Sequence, residues 1–190
     1  MQKQSLFLSA GLTIITSLTS LSLNLSPSFS QSTNTSSQPN RVTFFCREII
    51  DQSSGERIPA TVAWIPERKG HIRFIGWKSD YFNKGGWSPK ERCERVTQKF
   101  QEFYNAGRLN FLTHGKHNGY GIICGLAKQG EDCNNATQLF TVRAGSNPNQ
   151  VLQRLTAILE SKSSQILYQS TGQRSHVNVQ IFLSNSPLVE

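Results

Sequence analysis

Apolar positions along the chain recur with two periods, and the clearest is helical. In "SPKERCERVTQKFQEFYNAG", residues 88–107, Cys93, Val96, Thr97, Phe100, Phe103 and Tyr104 fall on one face at about 100° per residue, while Arg92, Arg95 and Lys99 lie off it. The ends of this helix are also written in the sequence. Ser88 is a good N-cap, Pro89 fits the first helical position, Glu91 completes a capping box, and Gly107 supplies a left-handed stop. Glu91 and Arg95 stand in the favourable order of an i,i+4 pair. A second helix is predicted to begin at Asn147-Pro148, with Gln150 in the box position and Val151, Leu152, Leu155, Ile158 and Leu159 as its apolar stripe.

The other period is that of strands. "VTFFC" (42–46) is a β-rich run, and "TVAWI" (61–65) and "HIRFIGW" (71–77) flank the turn "PERKG". "RLNFL" and "YGIICGL" flank "THGKHNG" as a second hairpin, and "QLFTV" (138–142) is a further strand. Together these predict an α+β fold, a mainly antiparallel sheet of five or six strands with two helices packed against it, over residues 41–161. Residues 162–190 read as a C-terminal tail in which "HVNVQIFL" alternates Val177, Val179 and Ile181, the pattern of one added strand or, equally, of a tail that orders on contact.

The N-terminus has a different texture. Only Lys3 is charged among the first thirty residues, an apolar run diluted by Ser and Thr follows, and Ser28-Phe29-Ser30 offers a small-x-small triplet. Residues 1–30 are therefore expected to be a cleaved signal peptide, leaving no transmembrane span in the mature chain, with an uncleaved membrane anchor as the alternative, and the polar stretch 31–40 a disordered linker. Export places Cys46, Cys93, Cys124 and Cys133 in an oxidising compartment, where an even count implies two disulfides. Three pairings exist. Cys46 ends a strand onto which the first helix can bring Cys93, which favours Cys46–Cys93 with Cys124–Cys133; Cys46–Cys124 with Cys93–Cys133 is the main rival. By loop entropy the favoured bridges contribute about 4 and about 2.7 kcal/mol.

Little else carries chemistry. His114 and His117 sit three apart in what reads as a Gly-rich turn, with no nearby carboxylate, so no metal is expected. Glu131, Asp132 and Asn134 lack the spacing of a calcium loop, and "RAGSNPNQ" lacks the lysine and glycines of a phosphate loop. No catalytic residue and no cofactor is assigned. The chain carries 20 Lys+Arg against 12 Asp+Glu, a formal charge of +8, which favours acidic partners. Basic and aromatic residues interleave in "GWKSDYFNKGGW", and Trp77, Lys78, Tyr81, Lys84 and Trp87 form the candidate binding surface. Because an exported protein rarely meets nucleic acid, the expected partners are an envelope polymer, an anionic membrane surface or a protein.

"FFC", "PATVAW", "SPKERCERVTQKFQEFYNAGRLNFLTHGKHNGYGIICG" and "CNNATQLFTVRAGSNPNQVLQRL" together resemble the cyanobacterial circadian oscillating protein (COP) domain family over about residues 42–159, all four cysteines included. The resemblance implies a membrane-associated protein of rhythmic abundance and brings no catalytic or ligand residues with it. The expected function is an exported, non-enzymatic binding domain, periplasmic or secreted and peripheral to a membrane. The alternatives are an extracytoplasmic hydrolase drawing on Glu94, His114 or Asp132, or a small-ligand carrier lined by aromatics.

Overall fold

The structure, a computed structural model, describes residues 40–156 and 175–189. The expected signal peptide, all but the last residue of the expected linker, and Ile158 and Leu159 of the second apolar stripe lie outside the described residues.

Strands β1 (Thr43–Ile50), β2 (Arg57–Ile65) and β3 (Gly70–Gly76) form an antiparallel sheet in that order. Strands β4 (Phe111–His117), β5 (Tyr120–Leu126), β6 (Gln138–Thr141) and β7 (His176–Asn178) form a second antiparallel sheet, ordered β6-β5-β4-β7. Helix α1 (Pro89–Asn105) joins the two sheets, α2 (Pro148–Thr156) follows β6, and α3 (Val179–Asn185) follows β7 directly. The α+β class and the antiparallel pairing agree with the sequence reading. The single sheet of five or six strands with two helices does not: there are two sheets, of three and four strands, and three α-helices among the described residues. The edges of the first sheet explain the split. At β1 the Phe44 amide donates to Gln101 Oε1 of α1 (2.7 Å), and at β3 the Val189 amide donates to the His71 carbonyl (2.8 Å), so neither edge is extended by β4.

Helix α1 forms where its caps require. Ser88 N donates to Glu91 Oε2 (2.8 Å) and Glu91 N to Ser88 Oγ (3.3 Å), the reciprocal capping box. At the other end the Gly107 amide donates to the Tyr104 carbonyl (3.1 Å) and the Arg108 amide to that of Phe103 (2.7 Å), with Gly107 at φ 67°, a Schellman stop. The helix buries Cys93, Val96, Thr97, Phe100 and Phe103 against β1 and β2 and also reaches β6. Phe44, Ala63, Ile72 and Phe74 of the first sheet, Leu112, Ile123 and Leu139 of the second, and Leu152 of α2 share that core. Each fully buried side chain of this size contributes about 1.5–3 kcal/mol.

A polar thread runs through this apolar contact. Trp77 Nε1 donates to Thr61 Oγ1 (3.1 Å), and Thr61 and Thr97 share a hydroxyl–hydroxyl bond of 2.8 Å. Thr61 is the cross-strand partner of Cys46, and Cys46 is bonded to Cys93, one helical turn before Thr97. Covalent and hydrogen bonds thus tie the same stretch of α1 to the same place on the sheet.

Alternation along β5 sorts its side chains between two environments. Ile123 joins the main core, whereas Ile122, Cys124 and Leu126 face a smaller cluster closed by Cys133, with Phe111 packed on it. The second disulfide, Cys124–Cys133, fastens the loop between β5 and β6 over that face.

Two sequence expectations are corrected here. "THGKHNG" is not a long turn: β4 runs through His117, and the turn is Asn118-Gly119 alone, with φ 49° and 79°. Gly115 is instead needed for close approach, since a Cβ there would stand 2.8 Å from Cys133 Sγ. "HVNVQIFL" is a strand only to Asn178, whose side chain then accepts from the Ile181 amide (3.0 Å) and caps α3. Val179, Phe182 and Leu183 are buried at helical spacing, while Ile181 is 57% exposed. The described part of the expected tail, residues 175–189, therefore supplies the added strand β7 and a helix packed into the core, and Arg68 Nη1 holds it by donating to the Leu183 (2.9 Å) and Ser186 (2.6 Å) carbonyls.

Two substitutions check this packing. Thr97→Val keeps shape but leaves the buried Thr61 hydroxyl short of a partner; it should cost about 1–3 kcal/mol in denaturant unfolding. Gly115→Ala should destabilise by about 1–3 kcal/mol, because overpacking against Cys133 outweighs the ~0.4–1 kcal/mol gained from a stiffer unfolded chain. That cost should shrink when Cys124 and Cys133 are both replaced by alanine.

Candidate functional site: an aromatic and arginine surface beside helix α1

The segment between β3 and α1 is shaped by its own backbone. The Trp77 amide donates to the Pro59 carbonyl (2.8 Å), so residue 77 still follows β2. A 3-10 turn spans Asn83–Gly85, Asn83 Nδ2 donates to Asp80 Oδ1 (2.9 Å), and Gly86 at φ 78° turns the chain back toward Ser88. The Trp87 amide closes the loop on the Phe82 carbonyl (3.2 Å).

Three arginines then hold the aromatics. Arg92 lies over both Trp77 (5.4 Å to the ring centroid) and Phe82 (5.2 Å), and its Nη2 donates to the Ser79 carbonyl. Arg95 lies over Trp87 (5.5 Å) and Arg143 over Tyr81 (5.1 Å), while Tyr81 and Phe82 meet edge to face at 4.9 Å. Stacking of this kind is worth about 0.5–1 kcal/mol at exposed sites and about 2 when desolvated. Burial pushes the Arg92 guanidinium pKa down, opposed by Asp80.

The five expected surface residues separate. Tyr81 and Trp87 are 45% and 43% exposed, and Lys84 is exposed with no ion-pair or hydrogen-bond partner among the described residues. Trp77, only 6% exposed, belongs to the core. Its hydrogen bond to Thr61 explains why: a tryptophan is buried where its N–H finds an acceptor. Lys78 is exposed but occupied, with Nζ 2.7 Å from Asp51 Oδ2 and 3.3 Å from Glu56 Oε2. The hydrogen bond to Asp51 raises the Lys78 pKa, and the same bond holds the Asp51 carboxyl far below the usual range.

A cleft of about 520 Å³ opens beside Trp87, lined by Gly85 and Gly86 on the loop and by Glu91, Glu94, Arg95 and Gln98 on α1. Glu91 is spent on the cap, and its bonds to Ser88 lower its pKa. Gln98 Nε2 donates to Glu102 Oε1 (2.7 Å) and keeps its carbonyl oxygen as an acceptor. Glu94 has no partner among the described residues. Sequence reasoning left Arg92, Arg95 and Gln98 out of the surface. The available signal was their place off the apolar stripe in the first turns of α1, next to the aromatic loop.

The remaining candidates do not converge. His114 and His117 fall on opposite faces of β4, because their separation is odd. No three His, Cys, Asp or Glu side chains gather as a metal site among the described residues. Glu94 is on α1, His114 on β4 and Asp132 in the β5–β6 loop, where Glu131 Oε2 accepts from the Ala127 amide (3.0 Å). The Asn147 side chain accepts from the Asn149 amide (2.9 Å), which caps α2 in the place considered for an anion. Among the described residues, no helix is long and apolar enough to cross a membrane.

Arg92→Ala should free the loop without unfolding the domain: protease cleavage within residues 78–87 should rise several-fold while the unfolding midpoint falls only by the equivalent of about 1–2 kcal/mol.

Residues 43–184 match the family model described as circadian oscillating protein COP23. No curated protein matches the chain, and no solved structure does. With most of its length matched, the chain belongs to the circadian oscillating protein family.

Proposed function

We propose that this member of the circadian oscillating protein family is an exported, non-enzymatic binding domain that attaches to the cell envelope through the surface around Tyr81 and Trp87. The observation that carries the reading is the pairing of two exposed aromatic side chains with Arg143 and Arg95 on a loop fixed to α1. Aromatic–arginine surfaces of this kind are the usual anchors of interfaces. Export is supported by two disulfides with no free cysteine, and by the apolar, Ser- and Thr-rich residues 1–30.

Two forces contribute to attachment. The formal charge of +8 supplies a diffuse attraction to anionic envelope components, which salt screens. The aromatic contacts persist in salt. Co-sedimentation with isolated envelope fractions measures both. The protein should pellet, high salt should release only part of it, and Tyr81→Ala with Trp87→Ala should weaken the salt-resistant part by about tenfold or more. Equal retention of the double variant, with its unfolding midpoint unchanged, contradicts the reading.

A further inference from the structure

We propose that the cleft beside Trp87 binds a neutral sugar unit of a polysaccharide; this deepens the envelope-binding reading and rests on it. The lining sets the chemistry. The lining holds two carboxylates, Glu91 and Glu94, and one guanidinium, Arg95, so the cleft has no positive excess although the chain as a whole is basic. A sulfated, phosphorylated or uronic polymer would bring its charge toward two carboxylates. A pyranose ring brings none. It has an apolar C–H face, which an indole covers, and a rim of hydroxyls, each of which both donates and accepts.

Each requirement has a residue. Trp87 keeps 43% of its surface exposed although Arg95 lies over its ring, which leaves indole surface free to stack. Glu94 and the Gln98 carbonyl oxygen are the acceptors, and Arg95 is the donor. Both acceptors lie on α1 one turn apart, while Trp87 comes from the loop, so ring plane and hydroxyl rim are read from two sides. A Cβ built on Gly86 would meet nothing within 4 Å, and its φ of 78° is one that other residues rarely adopt. The floor there stays open to a ligand. A cleft of about 520 Å³ is in the usual range for small-ligand sites. The other sources of an aromatic-binding group, a peptide or an anionic chain, become outcomes of the test.

Cellotetraose and the tetramer of N-acetylglucosamine are the neutral probes, heparin the polyanion and an unstructured Gly/Ser/Tyr peptide the protein mimic. Calorimetric and tryptophan-fluorescence titrations of the oxidised mature protein should show at least one neutral sugar binding with an affinity that barely changes between about 0.05 and 0.5 M salt. Trp87→Ala should weaken it by about tenfold or more, and Glu94→Gln or Gln98→Ala by several-fold, with unfolding midpoints near that of the parent. Trp87→Phe should retain part of the affinity. The proposal is overturned if neither neutral sugar binds, if sugar affinity is unchanged by Trp87→Ala, or if only heparin or the peptide binds the cleft. Loss of envelope retention in the Tyr81/Trp87 double variant without sugar binding removes the sugar assignment and leaves the surface reading standing. Envelope retention that survives in the Tyr81/Trp87 double variant, together with sugar binding that survives Trp87→Ala, removes both.

Discussion

The Cys46–Cys93 bond joins a strand to the inward face of a helix 47 residues further on, and both sheets are arranged around that junction. A disulfide alone would leave α1 free to rock about it. The Thr61–Thr97 hydrogen bond, one helical turn away, removes that freedom, and Trp77 extends the contact to the end of β3. Apolar burial of Phe100 and Phe103 is non-directional; it presses α1 onto the sheet but does not choose its register. Covalent geometry and a buried hydroxyl pair do. Because α1 also reaches β6, fixing it on the first sheet fixes the second.

The same junction locates the surface. Cys93 and Trp87 lie on opposite sides of the Ser88 cap, so once Cys93 is bonded, the loop 77–87 has little choice of path. Arg92 and Arg95, three residues apart on α1 and close to Cys93 in sequence, both emerge off the buried stripe, each over an aromatic ring of that loop. A cysteine set among charges is thus the point where a rigid interior meets an exterior built of stacked arginines and tryptophans. Lys78 belongs to a different network, in which Asp51 and Glu56 tie the β1–β2 turn to the loop base.

Much of this was legible in the sequence where local signals agreed. The capping box at Ser88 and the stop at Gly107 gave α1 within two residues, and its apolar stripe matches the buried face. The disulfide pairing followed from placing Cys93 on that stripe. Errors arose where one residue type serves two physical ends. Gly115 reads as a turn residue but is small to admit Cys133, which is 18 positions away and invisible to any local window. Val177, Val179 and Ile181 satisfy a period of two, yet Asn178 caps a helix and the buried set is Val179, Phe182 and Leu183. β1 extends to Ile50, beyond the predicted end, because β2 pairs along its whole length; a lone strand carries no such information. For the surface, composition identified the aromatic loop but not which tryptophan is buried, since that depended on Thr61 lying beneath Trp77.

Family membership names a pattern of expression and leaves chemistry to the site. The site depends on α1 being braced to β1, so the bond itself is the thing to measure. Mass spectrometric mapping of a non-reduced digest should find the Cys46 peptide linked to the Cys93 peptide, Cys124 linked to Cys133, and no alkylatable thiol. Four free thiols, or a Cys46–Cys124 linkage, would contradict it.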